Sequence, residues 1–183
     1  MAANMQDIAA HVMDIAQNSV RAGATRIEIE YRESRTEDSL TVVVRDNGRG
    51  MTAETLARVT DPFFTSRTTR KVGLGIPLLK QNAERTGGSF AIESREGEGT
   101  TVRAVFRLSD WDTPPAGDLG GTVALLAAAN PGIDVVYRHE TGRGAYVFDT
   151  REIREALGDV PINNPEIAAA LEEMARENIR DLS

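Results

Sequence analysis

Three polar side chains near the start of the chain are spaced as on one face of a helix. Asp14 lies four residues before Asn18, and Arg21 follows three residues later, so all three project from the same side. A carboxylate, an amide oxygen and a guanidinium so placed can orient a water molecule, bind Mg²⁺ and contact phosphate, because Mg²⁺ prefers hard oxygen ligands. The solvated face of an amphipathic helix carries similar residues, so this pattern alone leaves both interpretations open.

A second pattern, Asp46-Asn47-Gly48-Arg49-Gly50, follows a strand-like run of β-branched residues. Glycines allow a ligand to approach the backbone closely, and an aspartate at the end of a strand can accept a hydrogen bond from an amine. The same five residues also make a good β-turn. Alone, this pattern does not distinguish a binding loop from a turn.

A third pattern, Gly73-Leu74-Gly75, is predicted to open a helix. The free N–H groups at a helix N-terminus attract phosphate, and residues 65–71 just before it add four hydroxyls and three cations. No Gly-Lys-Ser or Gly-Lys-Thr follows, so this is not a Walker A loop, and the Gly-x-Gly-x-x-Gly spacing of a dinucleotide turn is absent. A polar surface loop before a helix would have a similar composition.

A fourth pattern, Gly97-Glu98-Gly99-Thr100-Thr101, joins two predicted strands. A threonine hydroxyl at this point could hydrogen-bond a base directly or through water. Taken alone, a glycine hairpin before a threonine-rich strand explains these residues more simply.

The elements that would position these residues follow from hydrophobic periodicity and turn residues. Helices are predicted over residues 7–23 and 52–59 and from residue 74 to 87. Strands are predicted over 26–31 and 40–44, then over 89–94 and 100–108, each pair forming a hairpin. A boundary rich in Gly, Pro and Asp covers 110–121. Beyond it we predict a helix over 122–129, a hairpin of 133–139 with 145–148, and helices over 151–157 and 165–181.

The composition excludes several classes of function. A net charge of −7 argues against a general nucleic-acid binder, which needs a basic surface. The absence of cysteine excludes disulfides, thiolate metal sites and cysteine nucleophiles. No apolar run is long enough to span a bilayer, and the N-terminus lacks the features of a signal peptide. We therefore expect a soluble cytoplasmic protein that does not bind membranes.

The order of the four patterns is more specific than any one of them. A helix with an asparagine, a strand pair, Asp-x-Gly-x-Gly, a loop with phenylalanines, a Gly-Leu-Gly helix and a Gly-Thr hairpin resemble the GHKL superfamily. Its members include the ATP-binding domains of histidine kinases, DNA gyrase, the mismatch-repair protein MutL and a heat-shock chaperone. Residues 61–75 and 86–100 look most like sensor histidine kinases, whereas residues 18–25 are similar to the corresponding motif of MutL.

The resemblance covers residues 5–108 and implies a Bergerat ATP-binding fold. This is a two-layer α+β sandwich in which a mixed, mostly antiparallel sheet lies under helices. We accordingly divide the chain into an ATP-binding domain at 1–109, a linker at 110–121 and a small α/β extension at 122–183.

The resemblance also implies roles for the helix that carries the first pattern. Asn18 would ligate Mg²⁺, and Arg21 would meet phosphate. Asp14 would position or activate a water molecule; family members often have glutamate there, so the shorter aspartate leads us to expect slow hydrolysis, since a base must reach its water.

For the base and the phosphates, the resemblance implies a second set of contacts. Asp46 would accept a hydrogen bond from the adenine amino group, with Gly48, Gly50 and Met51 beside the base and Thr100 or Thr101 completing its site. Gly73 and Gly75 would turn their amides to the phosphates. A short lid over residues 63–72 would close on the nucleotide; the contacts expected from the lid and the helix start are Phe64, Thr65, Lys71 and Leu74.

This sequence departs from histidine kinases in one respect. Those proteins carry a phosphoacceptor histidine on an upstream helix, and this chain begins almost at the asparagine motif, so we expect no autophosphorylation of that kind. His11 lies on the same helix as Asn18 and is predicted to be a packed or capping residue, and His139 is predicted to be structural. Residues 122–183 could extend the sheet, form a homodimer or bind a partner protein.

Three uses of the bound ATP remain open. The chain could be an ATP-driven conformational module or slow ATPase that regulates a partner protein. It could instead be a stand-alone protein kinase that phosphorylates a partner, like an anti-sigma-factor kinase or a split histidine kinase. The third alternative is a non-catalytic, nucleotide-sensing scaffold, so the sequence does not decide whether the protein is an enzyme.

Overall fold

The computed structural model describes residues 6–61, residue 63 and residues 75–183. Five predicted ligand contacts lie outside the described residues: Phe64, Thr65, Lys71, Gly73 and Leu74. All other predicted site residues are described.

The described residues form six helices and six strands. In chain order these are α1 (Ile8–Arg21), β1 (Arg26–Ser34), β2 (Ser39–Asp46), α2 (Ala53–Arg58), α3 (Gly75–Arg85), β3 (Ser89–Arg95), β4 (Gly99–Arg107), α4 (Leu119–Ala129), β5 (Asp134–Thr141), β6 (Gly144–Asp149), α5 (Thr150–Leu157) and α6 (Pro165–Asp181). Each predicted helix and strand within them is present, with ends shifted by up to three residues. The largest shifts are at the end of β1 and at the start of α4, which begins inside the predicted linker because Asp118 caps it by accepting from the Gly121 N–H.

The strands form one sheet in the order β3-β4-β2-β1-β5-β6. Among the described strands, β1 and β5 pair in parallel and the other four pairings are antiparallel. This is the mixed, mostly antiparallel sheet that was predicted. Of the three roles left open for residues 122–183, the structure shows extension of the sheet, since β5 lies directly against β1. The division into separate segments at 110–121 stays a prediction.

One face of the sheet carries the hydrophobic core. Helix α3 packs on β3 and β4, α1 on β1 and β2, α4 on β5, and α6 on β6. Alternate residues of each strand point to these helices, as the two-residue period of a strand requires; fully buried examples are Ile27, Ile29, Leu40, Phe106, Val135, Tyr137 and Phe148. The other face is largely exposed and charged. Because side chains alternate between the two faces, the position of a residue in its strand determines whether it points to the helices or to solvent.

Both histidines are buried, as predicted. His11 lies 3.0 Å from Asn82 through its Nε2 atom, and burial lowers its pKa although Asp7 acts in the opposite direction. His139 stacks on Tyr31 with ring centroids 4.4 Å apart, its Nδ1 lies 2.7 Å from the Tyr137 hydroxyl, and burial lowers its pKa to about 4. Both rings therefore support packing between elements.

No helix among the described residues is both long enough and apolar enough to cross a bilayer.

Candidate nucleotide site

Asp46, the last residue of β2, is held by two hydrogen bonds. The Ser19 hydroxyl donates to its Oδ2 atom at 2.6 Å, and the Gly48 N–H donates to its Oδ1 atom at 2.8 Å. Ser19 is buried on the core side of α1, so α1 and the loop after β2 together fix the carboxylate. Each carboxylate oxygen has a second lone pair, and Asp46 can therefore accept a further hydrogen bond from a ligand.

The loop after β2 is fastened to the turn between α1 and β1. The Asn47 Oδ1 atom accepts from the N–H groups of Thr25 and Arg26, both at 2.9 Å, and its Nδ2 atom donates to the Thr25 hydroxyl at 2.8 Å. The Arg49 N–H donates to the Ala22 carbonyl at 2.9 Å. Residues 46–50 are thus an anchored loop rather than a free turn.

The predicted loop glycines lie where a side chain would collide with neighbours. A Cβ atom on Gly48 would lie 2.9 Å from the Ala22 Cβ atom. Gly50 has φ of +69°, and a Cβ atom there would lie 1.9 Å from the Arg95 carbonyl oxygen. These glycines let the loop lie directly against the α1–β1 turn on one side and the β3–β4 hairpin on the other.

The β3–β4 hairpin is joined to the same loop through Ser94. Its hydroxyl accepts from the Met51 N–H at 2.9 Å, donates to the Gly99 carbonyl at 3.0 Å and lies 2.8 Å from the Thr100 hydroxyl. Because Ser94 has only one hydroxyl hydrogen, Thr100 is the donor in that last contact. The Thr100 oxygen therefore keeps lone pairs that can accept from water or a ligand.

Only one of the two predicted threonines shares a face with Asp46. Thr100 lies directly opposite Asp46 in the β2–β4 register, whereas Thr101 lies opposite Arg45. Side chains alternate along a strand, so Thr101 points to the exposed face of the sheet. Of the two threonines, Thr100 shares the face of Asp46, and its contact with a base stays a prediction.

The polar face of α1 has the arrangement that the helical spacing predicted. Arg21 donates from Nη2 to the Asn18 Oδ1 atom at 2.5 Å. Burial raises the pKa of the Asp14 carboxyl, and the Arg21 charge partly offsets that effect. Asp14 also lies against the first residue of α3, since a Cβ atom on Gly75 would be 3.2 Å from the Asp14 Cβ atom. Asp14 thus lies beside the start of α3, while Asn18 and Arg21 flank Ser19, the partner of Asp46, on the same helix.

Comparison with known proteins identifies this arrangement. Residues 5–110 match the family described as histidine kinase-, DNA gyrase B- and HSP90-like ATPases. The chain belongs to this family. As a histidine-kinase-like ATPase domain, it is a GHKL-type ATP-binding module, and its family-matched part ends before α4.

Several relatives of this ATPase domain are sensor kinases. The chain is 32% identical over 105 residues to the sensor protein kinase FleS of Pseudomonas aeruginosa, covering 57% of this chain and 26% of the kinase. It is 30% identical over 97 residues to the sensor histidine kinase YxdK of Bacillus subtilis, covering 50% of this chain and 30% of that kinase. The aligned part therefore spans less than a third of each relative.

A solved structure supports the fold itself. A crystal structure of the N-terminal domain of a DNA repair protein superposes with a TM-score of 0.56 at 15% identity, covering 77% of this chain and 51% of that one. At this identity the likeness concerns the fold alone. Its coverage of this chain is nevertheless wider than the family-matched residues 5–110.

The side chains of the ATPase domain also fit a hard metal ion. Among the described residues, no three acidic or histidine side chains cluster as a metal site, so a cation here would rely on few protein ligands. Mg²⁺ is commonly bound in this way, through one or two protein oxygens together with phosphates and water. The Asn18 amide oxygen retains a second lone pair beside its bond from Arg21, and Asp14 adds a carboxylate nearby.

Sequence reasoning missed two residues that position Asp46 and Thr100. Ser19 lies within the first predicted helix and Ser94 within a predicted strand, and neither was singled out as a site residue. Ser19 carried a recognisable signal, because a serine at a core position of an amphipathic helix needs a hydrogen-bond partner. Ser94 gave no comparable signal, because its role depends on the position of the β3–β4 hairpin.

Proposed function

We propose that this ATPase domain binds Mg²⁺–ATP and acts as an ATP-driven conformational module, or slow ATPase, that regulates a partner protein. The observation that carries the proposal is the Asp46 carboxylate, held by Ser19 and Gly48 and flanked by Thr100. A carboxylate fixed by two donors is a preorganised acceptor for the amino group of a base.

This geometry supports a choice of adenine over guanine. Adenine presents an amino group at the position where guanine has a carbonyl oxygen. Both Asp46 oxygens already accept hydrogen bonds, from Ser19 and Gly48, so the carboxylate offers only acceptors to a ligand. The carbonyl oxygen of guanine would therefore face another acceptor and could not form a hydrogen bond with it. The Thr100 oxygen, with its own hydrogen given to Ser94, adds a second acceptor on the same face for a bridging water.

The polar face of α1 would hold the phosphates and the metal. Asn18 would ligate Mg²⁺, which neutralises phosphate charge when bound, and Arg21 would contact a phosphate directly. The N–H groups at the start of α3, beside Asp14, have no partners within the helix. They and Arg21 would therefore both attract the phosphates.

Asp14 is the candidate base for hydrolysis. Its raised pKa makes its carboxylate a better proton acceptor than an ordinary aspartate. The aspartate side chain is one methylene shorter than glutamate, so it holds a water molecule less closely to the phosphate, and we expect slow turnover. Slow turnover suits a protein whose output is a change of conformation, and the C-terminal strands that share its sheet are the candidate contact for a partner.

Titration calorimetry with purified chain tests the binding part of this proposal. We expect ATP to bind more tightly with Mg²⁺ than without it, and GTP to bind weakly in either case. Equal affinity for ATP and GTP would contradict the role of Asp46. Steady-state release of phosphate tests the second part: absence of both turnover and any nucleotide-dependent change in shape would exclude a conformational ATPase.

A stand-alone protein kinase is the second candidate, because relatives over this region are named sensor kinases. In that case the γ-phosphate would move to a side chain of another protein instead of water. Incubation with γ-labelled ATP and candidate partner proteins distinguishes the two. Label on a partner side chain would favour the kinase, and label found only in free phosphate would favour the ATPase.

A further inference from the structure

The sixth strand is an open edge of the sheet with unusual chemistry. In the part of the chain that the structure describes, β6 pairs only with β5. Its sequence, Gly-Ala-Tyr-Val-Phe-Asp, contains no proline and one charge, Asp149, which is buried and paired with Arg151. Its outward residues Ala145 and Val147 are exposed, Val147 by 47%. Edge strands normally carry charges or prolines that prevent pairing, and β6 has neither on its exposed side.

The opposite edge of the sheet is protected in the usual way. There β3 exposes Glu93 and Arg95, and α2 lies beside it. One edge of the sheet therefore exposes charged side chains, whereas the edge formed by β6 exposes apolar ones.

We propose that β6 pairs with β6 of a second copy of this chain, in antiparallel orientation about a twofold axis. This joins two six-stranded sheets into one continuous sheet, with both helix layers on the same side. A second copy suits this edge because the exposed side chains of β6, Ala145 and Val147, are uncharged, so no like charges oppose each other when the strand pairs with its own copy.

Side-chain alternation and apolar contact select one register. Residues opposite each other must point to the same face, which leaves either Tyr146 or Val147 on the twofold axis near the centre of the strand. With Tyr146 on the axis, Ala145 lies opposite Val147 of the copy, so the two exposed apolar residues contact each other on both sides of the axis. With Val147 on the axis, Ala145 would instead oppose Asp149, which is already paired with Arg151. The first register brings more apolar surface together, and we adopt it.

Charge substitutions on the two outward residues test the pairing. The variant A145K/V147K places lysine opposite lysine twice across the axis. The dissociation constant of the dimer, measured by sedimentation equilibrium, should rise by about tenfold or more. The variant A145K/V147E places lysine opposite glutamate and should restore the dimer. The matched control, S89K/A91K, changes two exposed residues of the β3 edge and should leave the dimer intact.

Cysteine cross-linking tests the register, because the chain has no cysteine of its own. Opposite residues of an antiparallel pair have Cα atoms about 4.5–5.5 Å apart, within the range that a disulfide spans. An oxidised mixture of A145C and V147C chains should give a cross-linked dimer, whereas each variant alone should cross-link far less. Preferential cross-linking of V147C alone would overturn the chosen register. A wild-type chain that stays monomeric at all concentrations, or a dimer that A145K/V147K leaves unchanged, would overturn the proposal.

Discussion

The Ser19 hydroxyl donates a hydrogen bond of 2.6 Å to the Asp46 carboxylate. The two residues belong to different elements, since Ser19 lies in the last turn and a half of α1 and Asp46 ends β2. The helix that carries the proposed metal and phosphate contacts thus also orients the acceptor proposed for the base. This bond therefore joins the two halves of the proposed nucleotide site.

We expect Ser19→Ala to weaken ATP binding about tenfold, because a hydrogen bond to a charged group contributes about 1.5–3 kcal/mol and part of it orients Asp46. Ser109→Ala is a matched control, since the Ser109 hydroxyl donates to Asp38 at 2.7 Å, just beyond the opposite ends of β2 and β4. Calorimetric titration of both variants with ATP measures the difference. Equal losses in the two variants would show that the Ser19 bond has no special role in binding.

Asp46→Asn should weaken ATP binding by about 1–3 kcal/mol, because the amide cannot replace both acceptor oxygens of the carboxylate. The discrimination against GTP should fall at the same time. Asp38→Asn changes a second aspartate that accepts from a serine, Ser109, and we expect the affinity of this variant for ATP to match wild type. Unchanged affinity in Asp46→Asn, with the protein folded, would mean that the base binds elsewhere.

Asp14→Asn should reduce phosphate release by about a hundredfold or more, as removal of a general base typically does, while ATP still binds. Because burial raises the pKa of Asp14, wild-type turnover should increase with pH through a midpoint above the ordinary value of 3.8. Asp14→Glu should increase turnover if the short side chain limits hydrolysis. Identical rates for wild type and Asp14→Asn would remove Asp14 from the mechanism.

Gly50→Ala should lower the free energy of unfolding more than Gly97→Ala. Both glycines have positive φ, +69° and +77°, so each substitution adds the backbone strain of about 1–2 kcal/mol expected for that region. Only at Gly50 would the new Cβ atom overlap a neighbour, 1.9 Å from the Arg95 carbonyl, whereas Gly97 has open space. Denaturant titrations of the two variants measure the extra cost, and equal values would argue against close packing of the loop on the hairpin.

His139 should make folding sensitive to mild acid. Its pKa falls from 6.5 to about 4 on folding, so the unfolded chain takes up a proton at a higher pH than the folded one. The stability from the neutral ring is complete above pH 6.5 and is lost as the pH falls toward 4, by about 3 kcal/mol at most. The slope of the unfolding free energy between these values should be smaller in His139→Phe, and an unchanged slope would contradict this assignment.

Much of the fold could be predicted from the sequence because its signals are local. Periodicity and turn residues identified the described helices and strands, and α6 was predicted over the same residues that it occupies. In the structure Asn164 caps this helix and Pro165 lies in its first turn. The order of motifs then indicated the ATPase family. Asp14, Asn18 and Arg21 could be placed together because all three lie on one helix.

What could not be predicted depends on contacts between distant segments. Neither Thr100 nor Thr101 could be preferred until the β2–β4 register was known, since a shift by one residue exchanges the two faces. Neither strand's own sequence indicated that β5 pairs in parallel with β1. The bond from Ser19 to Asp46 likewise required the relative position of a helix and a strand, which periodicity does not supply.

The parallel pairing of β1 with β5 also affects the order in which the chain can fold on the ribosome. Arg26 pairs with Asp134, so the ribosome adds roughly a hundred residues after β1, which takes about 5–20 s, before β5 is synthesised. During that interval the side of β1 that later pairs with β5 has no strand partner. A partner or chaperone that covers this edge during synthesis would therefore raise the yield of folded protein without changing its final stability.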